Sequence, residues 1–371
     1  MALRFGIIGL PNVGKSTLFN ALTSSSVPAD NYPFTTIKPN MGIVSVPDER
    51  LKILGKSYPH LNLIPATIEV YDIAGLVKGA SSGEGLGNQF LAQIRESDAI
   101  IEVVRCFEGD EIIHVEHSVD PLRDSEIIEL ELIMADLETL SRRHKKVATK
   151  ARVEKEPTAV YEFNLIKKLI EHLQKGEPAR TLPDIYPNDR EYILKQFHLI
   201  SAKPHIYVAN VESDDETSLK NNTHYQSLRE GFKHKQTLII PVAIKLESEL
   251  ALFDESDRQE YISLIDASGE GINELILSAY KLLNLATFFT IGDEEIRAWT
   301  FTNGQSAREC AGLIHTDFER GFIKAEIFTF TDFVTYGSEQ AIKETGKLNI
   351  EGKDYLIKDG DIAFFKFNVT K

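Results

Sequence analysis

Gly9-Leu10-Pro11-Asn12-Val13-Gly14-Lys15-Ser16, followed by Thr17, fits the pattern G-x-x-x-x-G-K-[ST] without a gap. Residues of these types at this spacing bind a nucleoside triphosphate by its phosphates. The glycines let the backbone curl, so that amides from Asn12, Val13 and Gly14 onward point at one anion. Lys15 reaches the β- and γ-phosphates, and the Ser16 hydroxyl is placed to ligate Mg²⁺. Downstream, Asp72-Ile73-Ala74-Gly75 is a D-x-x-G at the end of a strand-like run. In phosphate-loop enzymes such an Asp holds Mg²⁺, usually through water, and the Gly N–H senses the γ-phosphate.

Two departures from a Ras-type site narrow the chemistry. Leu76 follows Gly75, where Ras-type switches carry a Gln that orients the attacking water. Leucine cannot hydrogen-bond to water, so that role falls to another group or hydrolysis is slow. The guanine-reading motif N-K-x-D is replaced by Asn210-Val211-Glu212-Ser213. Without the carboxylate that accepts from the N1–H and 2-amino group of guanine, the reason to prefer GTP is gone and ATP is the expected substrate, unless Glu212 or Asp214 rotates in to take its place. Between the loop and Asp72, Thr35 and Thr36 each offer a hydroxyl to complete Mg²⁺ coordination, and chemistry alone leaves that choice open. Lys78 to Gly87, with Gly79, Gly83, Gly85 and Gly87, suits a second switch segment that orders around a triphosphate.

The elements that must position these groups are legible. Arg4–Ile8 reads as a buried strand feeding the loop, and Ser16–Leu22 as a helix opening whose dipole favours phosphate. Further strands are expected at 42–46, 66–72, 99–105, 204–210 and 237–243, with a helix after Asp48. Such alternation predicts a mostly parallel α/β sheet with helices on both faces. From Ser125 to about Lys155, apolar residues recur at helical spacing and Pro157 ends the run. A second helix, Val160–His172, would make an antiparallel hairpin. After a helix at 272–283, the last stretch predicts strands at 296–301, 322–328, 353–357 and 362–367 and a helix at 306–315, a small α+β domain. The expected domains are 1–121 with 200–284, an inserted hairpin 122–199, and a C-terminal domain 285–368.

Composition sets the outer limits. With 371 residues and 42% hydrophobic content, two or three soluble domains are expected. No apolar run is long enough to span a bilayer, and no signal peptide is expected. Cys106 and Cys310 read as packed, reduced thiols, which fits a cytoplasmic protein. The net charge of −15 argues against coating nucleic acid with the whole surface. Against that background Arg142-Arg143-His144-Lys145-Lys146, with Lys150, Arg152 and Lys155, is a local basic cluster.

Taken together, G-L-P-N-V-G-K-S-T, Y-P-F-T-T-x-x-P-N, D-I-A-G-L and the degenerate Asn210 motif resemble the YchF/Obg-like ATPases, Obg-related phosphate-loop enzymes. So does the order of parts: a G domain, a helical hairpin inserted before the Asn210 strand, and a C-terminal TGS domain with a ubiquitin-like β-grasp. Arg297–Thr300, Ile314–Ile323 and Lys353–Tyr355 carry the resemblance to that last domain. The resemblance spans essentially the whole chain. It implies that Thr36, rather than Thr35, ligates Mg²⁺ with Ser16 and Asp72, and that Asn210 and the Val211 backbone read adenine. It implies that Leu76 is the hydrophobic replacement for the catalytic Gln, and that His114 orients water in its place, beside Lys15. A neutral imidazole near pH 7 suits that task. The family pattern N-x-x-E is broken here by Ser213, which puts its acidic contact in question. The resemblance also implies association with the ribosome or its large subunit, which favours Arg142–Lys155 as an RNA contact. Two other readings stay open: an ordinary Obg-type GTPase, and a non-enzymatic ribosome- or RNA-binding scaffold with a structural nucleotide.

Overall fold

The computed structural model describes residues 3–24, 40–73, 86–109, 118–233, 237–253, 255–265 and 269–368. In chain order the strands are β1 (Arg4–Ile8), β2 (Met41–Ser45), β3 (Asn62–Ile64), β4 (Thr67–Asp72), β5 (Ala99–Arg105), β6 (His205–Asn210), β7 (Leu238–Val242), β8 (Leu285–Ile291), β9 (Glu295–Thr302), β10 (Phe322–Thr329), β11 (Asn349–Glu351) and β12 (Asp361–Phe367). The first five helices are α1 (Lys15–Ser24), α2 (Glu49–Ser57), α3 (Leu86–Glu96), α4 (Pro121–Thr149) and α5 (Pro157–Leu173). Two compact units result: Met1–Val44 with Glu69–Ile272, and Ser45–Ile68 with Asn273–Lys371.

The first unit is built on a sheet of order β2-β4-β1-β5-β6-β7. The pairs β4·β1, β1·β5, β5·β6 and β6·β7 are parallel, as the alternation of strands and helices requires. Every residue of β5 and β6 is buried, the signature of strands covered on both faces. Two of the polar residues among them meet: Glu102 Oε2 lies 3.0 Å from His205 Nε2. Burial raises the Glu102 carboxyl and lowers the His205 imidazole, each toward its uncharged form.

The hairpin grows out of this unit. Asp120 caps α4, accepting from the Arg123 amide, and Pro121 takes the first turn, where a missing N–H costs nothing. Its apolar stripe, including Ile133 and Leu140, packs on Leu165, Ile166 and Leu169 of α5 and on Phe197. Asp136 ties the return crossing down: its carboxylate accepts from the Ile200 and Ser201 amides at 2.9 and 2.8 Å and from Ser201 Oγ at 2.7 Å. Arg180 ion-pairs with Glu129 and reaches Tyr207 Oη at 3.3 Å.

The second unit holds the sheet β11-β10-β12-β8-β9-β3. Antiparallel pairs β8·β9 and β10·β12 flank a parallel β12·β8 contact. The helix Ala307–Ile314, capped by a Ser306/Glu309 capping box, buries Ala307, Cys310 and Ala311 in a core with Phe288 and Phe301. Trp299 stacks on Phe288 and donates from Nε1 to Thr290 Oγ1 at 2.9 Å.

Four expectations need correction. Residues 45–68, assigned to the first domain, cluster with the second unit: β3 pairs in parallel with β9, Arg50 forks onto Asp359 at 2.8 and 3.2 Å, and Tyr58 stacks on Phe333. From Asn273 the helix Gly271–Leu282 also belongs to the second unit, whereas the hairpin clusters with the first. Residues 353–357 form a turn with one isolated bridge, Ser306 to Leu356, instead of a strand. Pro157 does not end the α4 run. That run widens into a π-turn at Lys150–Glu154 and stops at Lys155, at φ 54°, and Pro157 opens α5.

Candidate nucleotide site

β1 is buried from Phe5 to Ile8 and delivers the chain into the glycine loop. At Gly9 an added Cβ would come 2.7 Å from the Val103 carbonyl oxygen and 2.9 Å from Val13 Cγ2, so only glycine lets the loop leave so close to β5. The loop turns through Asn12 at φ 64° and Gly14 at φ 98°, conformations that Asn tolerates and Gly adopts freely. A Cβ on Gly14 would run into the Asn210 side-chain nitrogen. That nitrogen donates to the Val13 carbonyl at 2.9 Å, so the end of β6 is bonded directly to the loop.

α1 starts at Lys15 and is held by Leu18, Ala21 and Leu22. The Leu18 amide bonds back to the Gly14 carbonyl at 2.9 Å. The amides of Lys15, Ser16 and Thr17 therefore form the open first turn, and no acidic residue in that turn competes for its positive end.

Asp72, the last residue of β4, meets this turn. Ser16 Oγ donates to Asp72 Oδ2 at 2.8 Å, and Lys15 Nζ lies 3.7 Å from Asp72 Oδ1. Oδ1 is buried and has no hydrogen-bond partner. A hydroxyl beside an unsatisfied carboxylate oxygen is a hard-oxygen donor set that fits Mg²⁺. Among the described residues no group of three or more His, Cys, Asp or Glu is placed to hold a metal.

Beside the loop opens a cavity of about 650 Å³, lined by Asn12, Gly14, Thr17, Phe107, Glu108, Asn210, Val211, Glu212, Ile244 and Lys245. Its apolar walls are Phe107, Val211 and Ile244, and its polar groups are few, as in most small-molecule sites. Ser213 is absent from the lining. Its hydroxyl donates to Asp215 Oδ2 at 2.8 Å, and Asp215 caps the helix Glu216–Asn221 by accepting from the Ser218 amide at 2.9 Å. Hydrogen bonds from Ser218 and Ser213 draw the Asp215 carboxyl down to about 2. The position that carries a guanine-reading carboxylate in N-K-x-D thus holds a hydroxyl committed to a helix cap.

The structure therefore gathers Asn12, Gly14, Thr17, Asn210 and Val211 around one cavity, and Lys15 and Ser16 around Asp72. Thr35, Thr36, Gly75, Leu76 and His114 lie outside the described residues. Phe107, Ile244 and Lys245 were not predicted as base-cavity walls. They follow two separate strands, β5 and β7, and only their position just past strands bound for the loop's edge of the sheet signals them.

The basic cluster is partly structural. Arg143 pairs with Glu162 and donates to the Gln196 carbonyl at 2.6 Å, while Arg152 lies 5.2 Å from the Phe163 ring centroid. Arg142, Arg143, Lys146 and Lys150 nonetheless line one groove of about 580 Å³ between α4 and α5, with Thr139 and Thr158.

Comparison with known proteins places this site in a family. Residues 285–368 match the family model YchF-GTPase_C, described as a protein of unknown function (DUF933), and residues 4–152 match the model described as a 50S ribosome-binding GTPase. The chain is 46% identical over 369 residues to the Ribosome-binding ATPase YchF of Bacillus subtilis (strain 168), covering 100% of both chains. It is equally 46% identical to that of Escherichia coli O157:H7, again over 100% of both. The solved structure of the Schizosaccharomyces pombe YchF GTPase superposes with a TM-score of 0.88 at 37% identity, over 98% of this chain and 97% of that one.

Proposed function

The chain belongs to the YchF family, and from that premise we propose that it is a cytoplasmic, Mg²⁺-dependent ATPase of slow turnover that prefers ATP to GTP and works on the ribosome. One observation carries the reading: Lys15, Ser16 and Asp72 converge beside a base cavity from which the guanine-reading carboxylate is missing. The bacterial relatives are named ribosome-binding ATPases and the yeast relative a GTPase, so the base preference rests on Ser213 and its cap. Adenine offers an N6 donor and an N1 acceptor, for which Asn210 and the Val211 backbone are the proposed readers.

In hydrolysis a water oxygen bonds to the γ-phosphorus, the bond from that phosphorus to the β–γ bridging oxygen breaks, and ADP and phosphate leave. Lys15 and the open amides of the α1 turn hold the β- and γ-phosphates and offset charge on the equatorial oxygens. Ser16, Thr36 and Asp72 would hold Mg²⁺, which would supply further charge neutralisation there, and the Gly75 amide would sense the γ-phosphate. His114 is the proposed water-orienting group, because Leu76 cannot serve. The groove lined by Arg142, Lys146 and Lys150 is the proposed RNA contact, and the C-terminal sheet and helix are assigned to the TGS type.

Side-by-side titration of the full chain with Mg-ATP and Mg-GTP tests the base assignment. Tighter ATP binding is expected, and equal or tighter GTP binding overturns it in favour of an Obg-type GTPase. Phosphate release should fall for His114→Ala while ATP affinity survives. Ribosome co-sedimentation that ignores the nucleotide, with negligible hydrolysis, would leave only a scaffold.

A further inference from the structure

Arg105 ends β5 and is 1% exposed, yet it contributes no atom to the cavity lining. Its guanidinium reaches the residues that follow it. Nε donates to the Phe107 carbonyl at 3.0 Å, Nη2 donates to the Gly109 carbonyl at 3.2 Å, and Cζ lies 4.6 Å from the Phe107 ring centroid. The chain from Phe107 to Gly109 is thus wrapped around one cation. Gly109 permits the approach, since a Cβ there would meet Arg105 Nη2 at 3.2 Å. The same segment is anchored from outside: Asn222 Nδ2 donates to the Cys106 carbonyl, and His224 Nε2 meets Glu108, both at 2.8 Å. Phe107 and Glu108 are the only residues of this segment that line the cavity.

We propose that Arg105 is the positioning residue of the base pocket: it fixes the Phe107 ring as the flat wall against which a purine base stacks, without touching the nucleotide itself. The inference rests on the nucleotide reading above and adds a specificity device to it. A planar five-donor fork is needed to hold two carbonyls and lie on a ring at once, and a lysine ammonium cannot reproduce this. Arg105 acts on the base alone, because the phosphate grip is made by residues it does not contact in this way, Lys15, Ser16 and the α1 amides.

The test compares Mg-ATP with Mg-tripolyphosphate, a phosphate-only probe, on the full chain by calorimetry. Arg105→Lys is expected to weaken ATP about tenfold, leave tripolyphosphate unchanged, and raise KM for ATP with kcat unchanged. Phe107→Leu should do the same, and the double variant should be no weaker than Phe107→Leu alone, since the two residues act as one. Gly109→Ala, which only presses on Nη2, gives a smaller loss of the same kind and serves if Arg105→Lys does not fold. ATP affinity unchanged in Arg105→Lys or Gly109→Ala, an equal loss of tripolyphosphate, or additive losses in the double variant would overturn the proposal. A wild-type chain that binds neither ligand would instead refute the nucleotide reading.

Discussion

Replacing Asn210 by alanine separates what the loop needs from what the base needs. The Asn210 side chain is 6% exposed as a residue, and its amide nitrogen is bonded to the carbonyl of Val13, which is 1% exposed. Asn210→Ala removes the donor and leaves a buried carbonyl oxygen without it. An unsatisfied buried acceptor costs about 1–3 kcal/mol. If the bond holds the loop in its phosphate-binding shape, that cost appears as a smaller competent fraction, and affinity falls by the same factor. About 2 kcal/mol corresponds to roughly thirtyfold. The loss is paid before any base is present, so it must be common to ATP and tripolyphosphate. Calorimetric titration of both ligands with Mg²⁺ should show each weakened at least tenfold, with any additional loss confined to ATP measuring what Asn210 does for adenine. Unchanged tripolyphosphate affinity would refute the argument, because Asn210 would then be a base reader with no hold on the loop.

Asp72→Asn should reduce Mg-ATP turnover at least a hundredfold while nucleotide affinity in EDTA stays within threefold of wild type (about 10²-fold being the usual scale for losing one electrostatic stabiliser); equal turnover would remove Asp72 from the metal site. Burial raises the Asp136 carboxyl from 3.8 to about 6 against the pull of its Ser201 and Ile200 hydrogen bonds. The folded state therefore holds the proton more tightly than the unfolded one, so this contribution is full below pH 3.8 and is lost as pH rises through about 6. The difference in urea stability between wild type and Asp136→Asn should fall by about 3 kcal/mol between pH 3.5 and 7.5, a little over two pH units at about 1.4 kcal/mol each; a pH-independent difference counts against it. Lys146→Glu with Lys150→Glu should weaken ribosome co-sedimentation and flatten its salt dependence, without changing ATP turnover of the free chain; binding as tight as wild type would clear the groove of that role.

The parts of the fold set by local chemistry were legible. Strand, glycine loop and helix opening agreed around Gly9–Thr17, Asp48 announced α2, and the apolar stripe of α4 announced the hairpin. What escaped depends on distant pairings. Nothing within 45–68 says that Asn62–Ile64 pairs with Glu295–Arg297 far along the chain. β8 was missed because the first five residues of Leu285–Ile291 are all buried, with no alternation of apolar and polar positions to mark a strand. Residues 353–357 have strand-like composition, but their hydrogen bonds go to the cap of the helix Ala307–Ile314: the Ala307 amide takes the Tyr355 carbonyl at 2.7 Å. The phosphate half of the site could be read because one motif carries it. The base half could not be read in full, because Phe107, Val211 and Ile244 come together only when β5, β6 and β7 lie side by side.

The chain has one tryptophan, Trp299, set in β9 with its indole N–H on Thr290. Every residue gathered around the phosphate loop belongs to the other compact unit. Intrinsic emission excited at the red edge therefore reports on one half of the molecule while ligand is added to the other. A nucleotide-dependent shift in that signal would be a label-free record of communication between them, and its rate could be followed by stopped flow without altering a single residue.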